Sequence, residues 1–135
     1  MDFISIRVIT GDITRLVGFY ERATGLRANW ANDDFAELST RSGTLAIGST
    51  RTVGLFAPGS AEPGANRSVI IEFLVDDVDA VRENLTGFVE DVVTEPTTMP
   101  WGNRALLFRD PDGNLINLFT PVTPAAVEKF AHYER

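Results

Sequence analysis

The sequence predicts an α+β fold of two βαβββ modules, whose strands form a curved mixed sheet with a concave ligand groove, followed by a C-terminal helix. Three observations support this fold. The chain opens with a strand pattern and then a helix pattern, and the same order returns after a segment rich in Pro and Gly. The third observation is the segment 110–114, Asp-Pro-Asp-Gly-Asn, which is typical of a hairpin turn between two apolar strands.

The first module is predicted over residues 1–56. Apolar and polar residues alternate over 3–9, as in a half-buried strand. Asp12 is suited to cap the helix that follows, and Gly25 is suited to end it. Short strands are then predicted over 26–30, 35–40 and 44–48, and residues 53–56 either extend the last strand or form an arm.

A linker is predicted over residues 57–67, which contain little that could be buried. The second module follows over 68–121, with strands over 68–75, 88–94, 103–109 and 114–120 and a helix over 78–85. Thr123 and Pro124 are a cap and a first helical residue, and they predict a C-terminal helix over 123–135. His132 is expected on the surface of that helix.

Composition excludes several kinds of site. The 135 residues contain no cysteine and one histidine, so thiolate chemistry, zinc–thiolate sites and a two-histidine metal site within one chain are excluded. The formal charge of -7 argues against a nucleic-acid partner and favours a cationic ligand. No apolar run reaches the about 18 residues of a membrane span, and no signal-peptide pattern opens the chain, so we expect no membrane partner and a cytoplasmic location.

Polar side chains are predicted on the concave face of the sheet. Strand alternation places Ser5, Arg7, Glu72 and Asn117 there, because their apolar neighbours should face the helices. These polar groups could contact a ligand, or Arg7 and Glu72 could pair with each other. A module of about 55 residues cannot bury both faces of its sheet, so modules should pair within a chain or between chains, and a homodimer is expected.

Three aromatic residues are candidates for ligand contact. The indoles of Trp30 and Trp101 suit a planar aromatic ligand, although both could instead pack in the core or in a dimer interface. Phe56 could line the groove or contact the partner subunit. Glu72 could also act as a general base, which keeps an enzyme as an alternative. Asp76, Asp77 and Asp79 are interpreted as helix-capping residues.

Several motifs, in this order, resemble the vicinal oxygen chelate superfamily. This superfamily includes glyoxalase I, extradiol dioxygenases, fosfomycin-resistance proteins and bleomycin-resistance proteins. The motifs cover nearly the whole chain and identify the fold rather than a function. They are Asp12, Phe19-Tyr20, Gly25-Leu26, the segment 75–79, Pro100-Trp101-Gly102 and the segment 108–116.

The resemblance implies where metal ligands would lie. In metal-using members, histidines and glutamates occupy positions that we match to Ser5, Ile47, Ile70 and Asn117. These side chains are unsuited to a transition metal, so we expect neither a metal nor another cofactor. The chain then resembles the bleomycin-resistance branch, homodimers that bind a drug unchanged. The alternatives are a metal-independent isomerase or lyase that uses Glu72 or Arg7, and a ligand-sensing or interaction module.

Overall fold

The computed structural model describes residues 1–133 and contains two compact units. Unit 1 comprises Met1–Asn66 with Pro111–Gly113, and unit 2 comprises Arg67–Asp110 with the described residues from Asn114 onward. Each unit contains one four-stranded mixed sheet. The element order repeats from the first unit to the second, which confirms the predicted α+β fold of two βαβββ modules.

Unit 1 has the strand order β1-β4-β3-β2. Strands β1 and β4 are parallel and the other neighbours are antiparallel, so β1 and β2 form the edges. The elements are β1 (Ser5–Thr10), α1 (Ile13–Thr24), β2 (Asn29–Asn32), β3 (Phe35–Ser39), β4 (Thr44–Ser49) and α2 (Thr50–Phe56).

Helix α1 begins and ends where the sequence predicts. The Asp12 side chain accepts a hydrogen bond from the backbone N–H of Arg15, and Gly25 ends the helix with φ of 75°. Leu16, Val17 and Tyr20 are buried on the face of α1 that packs against the sheet. One face of the unit 1 sheet therefore packs against α1 and forms the core of the unit.

Helix α2 corrects the prediction for residues 53–56, which neither extend a strand nor form an extended arm. They are the second half of a helix that Ser49 caps by accepting from the backbone N–H of Arg51. The Ser49 hydroxyl also donates to the Asp34 carboxylate at 2.8 Å. β-branched residues before and within 53–56 gave a strand-like pattern, and this cap, which depends on the distant Asp34, overrides it.

Unit 2 repeats this arrangement with the strand order β5-β8-β7-β6 and a parallel pair of β5 and β8. Its core lies between one face of this sheet and α3, where Val78 is buried. The elements are β5 (Ile70–Leu74), α3 (Val78–Asn84), β6 (Val92–Thr98), β7 (Asn103–Arg109), β8 (Leu115–Pro121) and α4 (Pro124–Lys129).

The hairpin turn between β7 and β8 is confirmed. The Asp110 carboxylate accepts from the backbone N–H of Asn114 at 2.9 Å and from its Nδ2 at 2.8 Å. The backbone N–H of Asp110 donates to the Asn114 carbonyl at 3.0 Å, and Gly113 has φ of 85°. Both Asp110 and Asn114 are buried, so the turn is part of the packed structure.

Two predicted boundaries in unit 2 are wrong. Strand β6 begins at Val92 rather than at residue 88, because the backbone N–H groups of Phe88 and Val89 donate to the Leu85 carbonyl and extend the turn after α3. Helix α4 ends at Lys129, so His132 lies beyond the helix, with its ring centroid 4.2 Å from that of Tyr133. Residues 134–135 of the predicted helix lie outside the described residues.

The helices are short. Helix α1 has 12 residues, whereas α2 and α3 have 7 and α4 has 6. A membrane-spanning helix needs about 20 apolar residues. Within residues 1–133, no helix has the length and apolar character to cross a membrane.

Candidate functional site

Unit 1 presents one face of its sheet on the side opposite α1. Cross-strand partners share a face of a sheet, and Leu38, Leu45 and Ile47 are buried on the α1 side. Their sequence neighbours therefore form the opposite face, which we call the Arg7 face. It comprises Ser5, Arg7, Ile9, Phe35, Glu37, Ser39, Thr44, Ala46 and Gly48.

Arg7 contacts two aromatic rings on this face. Its guanidinium carbon is 4.8 Å from the centroid of the Phe35 ring and 4.8 Å from that of Phe56. Both distances fall within the range of a cation–π contact. Phe56 comes from the end of α2 and Phe35 from β3, so three separate elements build the contact. Arg7 remains exposed despite these two rings.

Two small residues let the Arg7 side chain cross β4. A Cβ atom added at Gly48 would lie 3.7 Å from Arg7 Cδ and 2.7 Å from Thr52 Oγ1. Ala46 is paired with Arg7 on one side and with Glu37 on the other. The centre of the Arg7 face therefore consists of Ala46 and Gly48, with Arg7 on the neighbouring strand at one side and Glu37 on the neighbouring strand at the other.

Unit 2 has the equivalent face, on the side opposite α3, which we call the Glu72 face. Asn117 Nδ2 donates to the Glu72 carboxylate at 2.7 Å, and Asn117 Oδ1 is a buried atom with no hydrogen-bond partner among residues 1–133. An unpartnered amide oxygen beside a carboxylate can accept from an N–H or O–H donor. The Glu72 face comprises Ile70, Glu72, Leu74, Ala105, Leu107, Arg109, Leu115, Asn117 and Phe119.

One end of the Glu72 face is covered by residues that follow α4. The Phe119 ring packs against Phe130 with centroids 5.2 Å apart, and Phe130 packs against Tyr133 at 5.9 Å. Phe119 is buried as a result. The polar pair of Glu72 and Asn117 lies on the next rung of this face, so it borders an aromatic cluster.

The predicted site residues divide between the two units. Ser5 and Arg7 lie on the Arg7 face, with Phe56 beside them, and Glu72 and Asn117 lie on the Glu72 face. Each of the four strand residues points away from its unit's helix-covered face, as strand alternation predicts. A role of these residues in ligand binding, and a pair between Arg7 and Glu72, stay predictions.

The two tryptophans differ in position. Trp101 is 69% exposed in the turn between β6 and β7, so it does not pack in the core. Trp30 pairs with Ala36, which is fully buried on the α1 side, so the register places Trp30 on the face opposite Arg7. Contact between Trp30 and a ligand stays a prediction, which this position does not support.

Sequence reasoning missed Phe35 and Glu37 as site residues. Alternation along β3 was the available signal, since Ala36 and Leu38 are the buried residues of this strand. Their neighbours Phe35 and Glu37 must then face the other way. The position of Phe56 above Arg7 could not be predicted in this way, because it depends on where α2 packs.

One of the four matched metal positions is wrong by one residue. Arg7 pairs with Ala46 as Glu72 pairs with Asn117, so the counterpart of Asn117 is Ala46. Ile47 is fully buried on the α1 side. The strand pairing makes Gly43 the counterpart of Asn114, and three residues further along the chain lie Ala46 and Asn117. The match of Ser5 with Ile70 is correct, since they pair with Thr44 and Leu115.

The corrected positions do not fit a transition metal. They hold a hydroxyl group at Ser5, a methyl group at Ala46, an apolar side chain at Ile70 and a neutral amide at Asn117. Stable transition-metal sites use imidazole, thiolate or carboxylate ligands. Residues 1–133 contain no group of three or more His, Cys, Asp or Glu side chains placed to hold a metal ion.

The carboxyl groups with shifted pKa values lie in surface ion pairs. Arg104 hydrogen-bonds Asp79 at 2.7 Å and lowers the pKa of that carboxyl, and Arg82 does the same to Glu95 at 2.6 Å. The Arg51 guanidinium, helped by the Ser49 hydroxyl, lowers the pKa of Asp34. The first two pairs tie α3 to β7 and β6, so these shifts have a structural cause rather than a catalytic one.

Comparison with known families agrees with this fold. The family model of the Glyoxalase/Bleomycin resistance protein/Dioxygenase superfamily matches residues 3–118. The chain belongs to this superfamily. The chain is 26% identical over 125 residues to a protein of Bacillus subtilis (strain 168), "Uncharacterized protein YraH". The matched residues are 88% of this chain and 98% of that protein.

Solved structures of similar fold include other members of the superfamily. A glyoxalase/bleomycin resistance protein/dioxygenase from Nocardioides has a TM-score of 0.73 and 21% identity, covering 92% of this chain and 85% of its own. A protein of unknown function from Agrobacterium tumefaciens str. C58 has a TM-score of 0.78 and 24% identity, covering 90% and 95%. At these identities the likeness shows the fold alone.

Proposed function

We propose that this superfamily member binds an aromatic small molecule, without a metal ion and without changing the molecule chemically. An antibiotic or another aromatic natural product is the ligand that we expect, so the protein would confer resistance by sequestration. The observation that carries the proposal is the set of side chains at the four matched metal positions, which lack the ligands that metal-dependent chemistry needs.

Aromatic groups in both units support an aromatic ligand. Phe35 and Phe56 contact Arg7 in unit 1, and the exposed indole of Trp101 lies in unit 2. Flat aromatic side chains offer large contact areas at low entropic cost. The superfamily also includes bleomycin resistance proteins.

We also propose that the chain forms one domain over 1–135. We propose that it assembles as a homodimer in the cytoplasm. Strands β1 and β5 are edge strands of their sheets. The outward backbone N–H and C=O groups of an edge strand can pair with another chain. A second copy of the chain can supply that pairing. The linker 57–67 would then join module 1 to module 2 within this one domain.

A fluorescence titration tests the proposal. Planar aromatic natural products are added to the protein while tryptophan emission is followed. We expect a saturable change that is retained in Trp30→Phe and lost in Trp101→Phe, because Trp101 is the indole that we assign to the ligand. Each bound compound is then recovered and weighed by mass spectrometry, and its mass and retention time should be unchanged.

The outcome that contradicts sequestration is recovery of an altered compound. That outcome would favour the alternative, a metal-independent isomerase or lyase of the same fold. Turnover that disappears in Glu72→Gln, with the fold intact by circular dichroism, would then assign the general base. The observation that favours this alternative is the Glu72 carboxylate, fixed by the Asn117 amide at 2.7 Å.

A further inference from the structure

The contact of Arg7 with two rings restricts how this side chain can bind another group. A guanidinium is planar, and its N–H groups point outward in that plane. The rings of Phe35 and Phe56 each lie 4.8 Å from the guanidinium carbon. The N–H donors at the edge of the guanidinium are the groups that can form hydrogen bonds with a ligand.

The N–H edge of Arg7 has no carboxylate partner within its own unit. Among the described residues of unit 1, the contacts of Arg7 are with the two rings. Glu37 lies on the same face of β3 as Phe35, but it forms no ion pair with Arg7 within unit 1. A carboxylate matches the edge of a guanidinium with two parallel hydrogen bonds, so it is the group that this edge suits best.

We infer that Arg7, in contact with the rings of Phe35 and Phe56, binds the carboxylate of an anionic aromatic ligand. This inference rests on the proposed function and names the chemical class of its ligand. Ala46 and Gly48 are buried, whereas Arg7 is exposed and Phe56 is 72% exposed, so these two side chains are open to a ligand. The ligand's carboxylate then accepts N–H groups of Arg7 while its ring lies against the aromatic side chains.

The overall charge of the chain opposes an anion only at long range. A formal charge of -7 slows the approach of an anion at low ionic strength. At physiological salt the field is screened beyond about 8 Å, so the direct contact with Arg7 determines affinity. Glu37 lies on the same face of β3 as Phe35, so its carboxylate opposes the bound anion while Arg7 attracts it.

Paired probes test the inference. The affinities of 2-naphthoate and 2-naphthamide, which differ in charge but share a ring system, are measured by calorimetry and by the Nε–H resonance of Arg7 in 15N-labelled protein. We expect naphthoate to bind at least about 10-fold more tightly than the amide. We expect Arg7→Gln to lose about 10- to 100-fold in naphthoate affinity and to leave amide affinity unchanged.

Control variants separate contact from charge. Arg27→Gln removes the same charge from an exposed position outside the Arg7 face and should leave both affinities unchanged. Glu37→Gln should strengthen naphthoate binding only slightly. Arg7→Lys keeps the charge but loses the planar group that contacts the rings, so its affinity should lie between those of the wild type and Arg7→Gln.

Two outcomes overturn the inference. One is equal binding of naphthoate and naphthamide, and the other is the absence of a saturable shift at Arg7 up to the solubility limit of naphthoate. Equal binding of the two probes leaves the proposed sequestration standing. Conversely, chemical alteration of a recovered compound contradicts sequestration and leaves the carboxylate contact at Arg7 standing.

Discussion

Replacing Ile47 with asparagine is expected to cost about 3–5 kcal/mol of unfolding free energy. Ile47 is fully buried in the core beneath α1, so the change removes apolar contacts and buries an amide without partners. The same change at Ala46 is expected to cost about 1–3 kcal/mol, because Ala46 faces away from α1 but is itself buried, so a larger side chain there must displace its neighbours. Urea denaturation followed by circular dichroism measures both values.

This pair of variants tests the corrected register of unit 1. Ala46→Asn gives the Arg7 face the residue that the Glu72 face has at its counterpart, Asn117. Ile47 instead corresponds to Leu118, which is also buried. A larger loss of stability for Ala46→Asn than for Ile47→Asn would mean that the two faces of β4 have been exchanged.

Replacing Gly102 with alanine is expected to cost about 2–4 kcal/mol. Gly102 has φ of 97°, and an added Cβ would overlap Thr123 Oγ1 and lie 3.0 Å from the Ala126 Cβ. The Gly102 carbonyl also accepts from the backbone N–H groups of Val122 at 2.9 Å and Thr123 at 3.2 Å. The variant therefore disturbs the turn of Trp101 and the start of α4 together.

Gly87 provides the matched control for Gly102. It also has positive φ, 81°, but an added Cβ would meet no atom within 4 Å. Gly87→Ala should then show only the backbone cost, about 1 kcal/mol. Denaturation followed by tryptophan emission measures both variants, and equal losses would show that α4 does not pack against Gly102.

Local chemistry made several features of both units predictable. The segment 110–114 contains the residues that its turn requires, and the predicted strand over Asn103–Arg109 coincides with β7. The caps at Asp12 and Thr123 were also predictable, because a capping side chain bonds a backbone N–H only a few residues away. These features depend on neighbours in the sequence.

The features that sequence reasoning missed depend on distant residues. Helix α2 relies on Ser49, whose hydroxyl donates to Asp34 in the turn between β2 and β3. The counterpart of Asn117 in unit 1 can be identified only from the pairing of β1 with β4. An error of one residue in that register moves the matched side chain to the other face of the sheet. The contact of Arg7 with Phe35 and Phe56 joins three elements, so no single segment predicts it.

Binding without a metal is the central claim, and one measurement tests it most directly. The affinity of an aromatic ligand found by the titration is measured before and after exhaustive dialysis against EDTA, with elemental analysis of the same samples. We predict equal dissociation constants and no stoichiometric transition metal in either sample. A stoichiometric metal in the purified protein, together with binding that is lost on chelation and restored by that metal, would contradict the account.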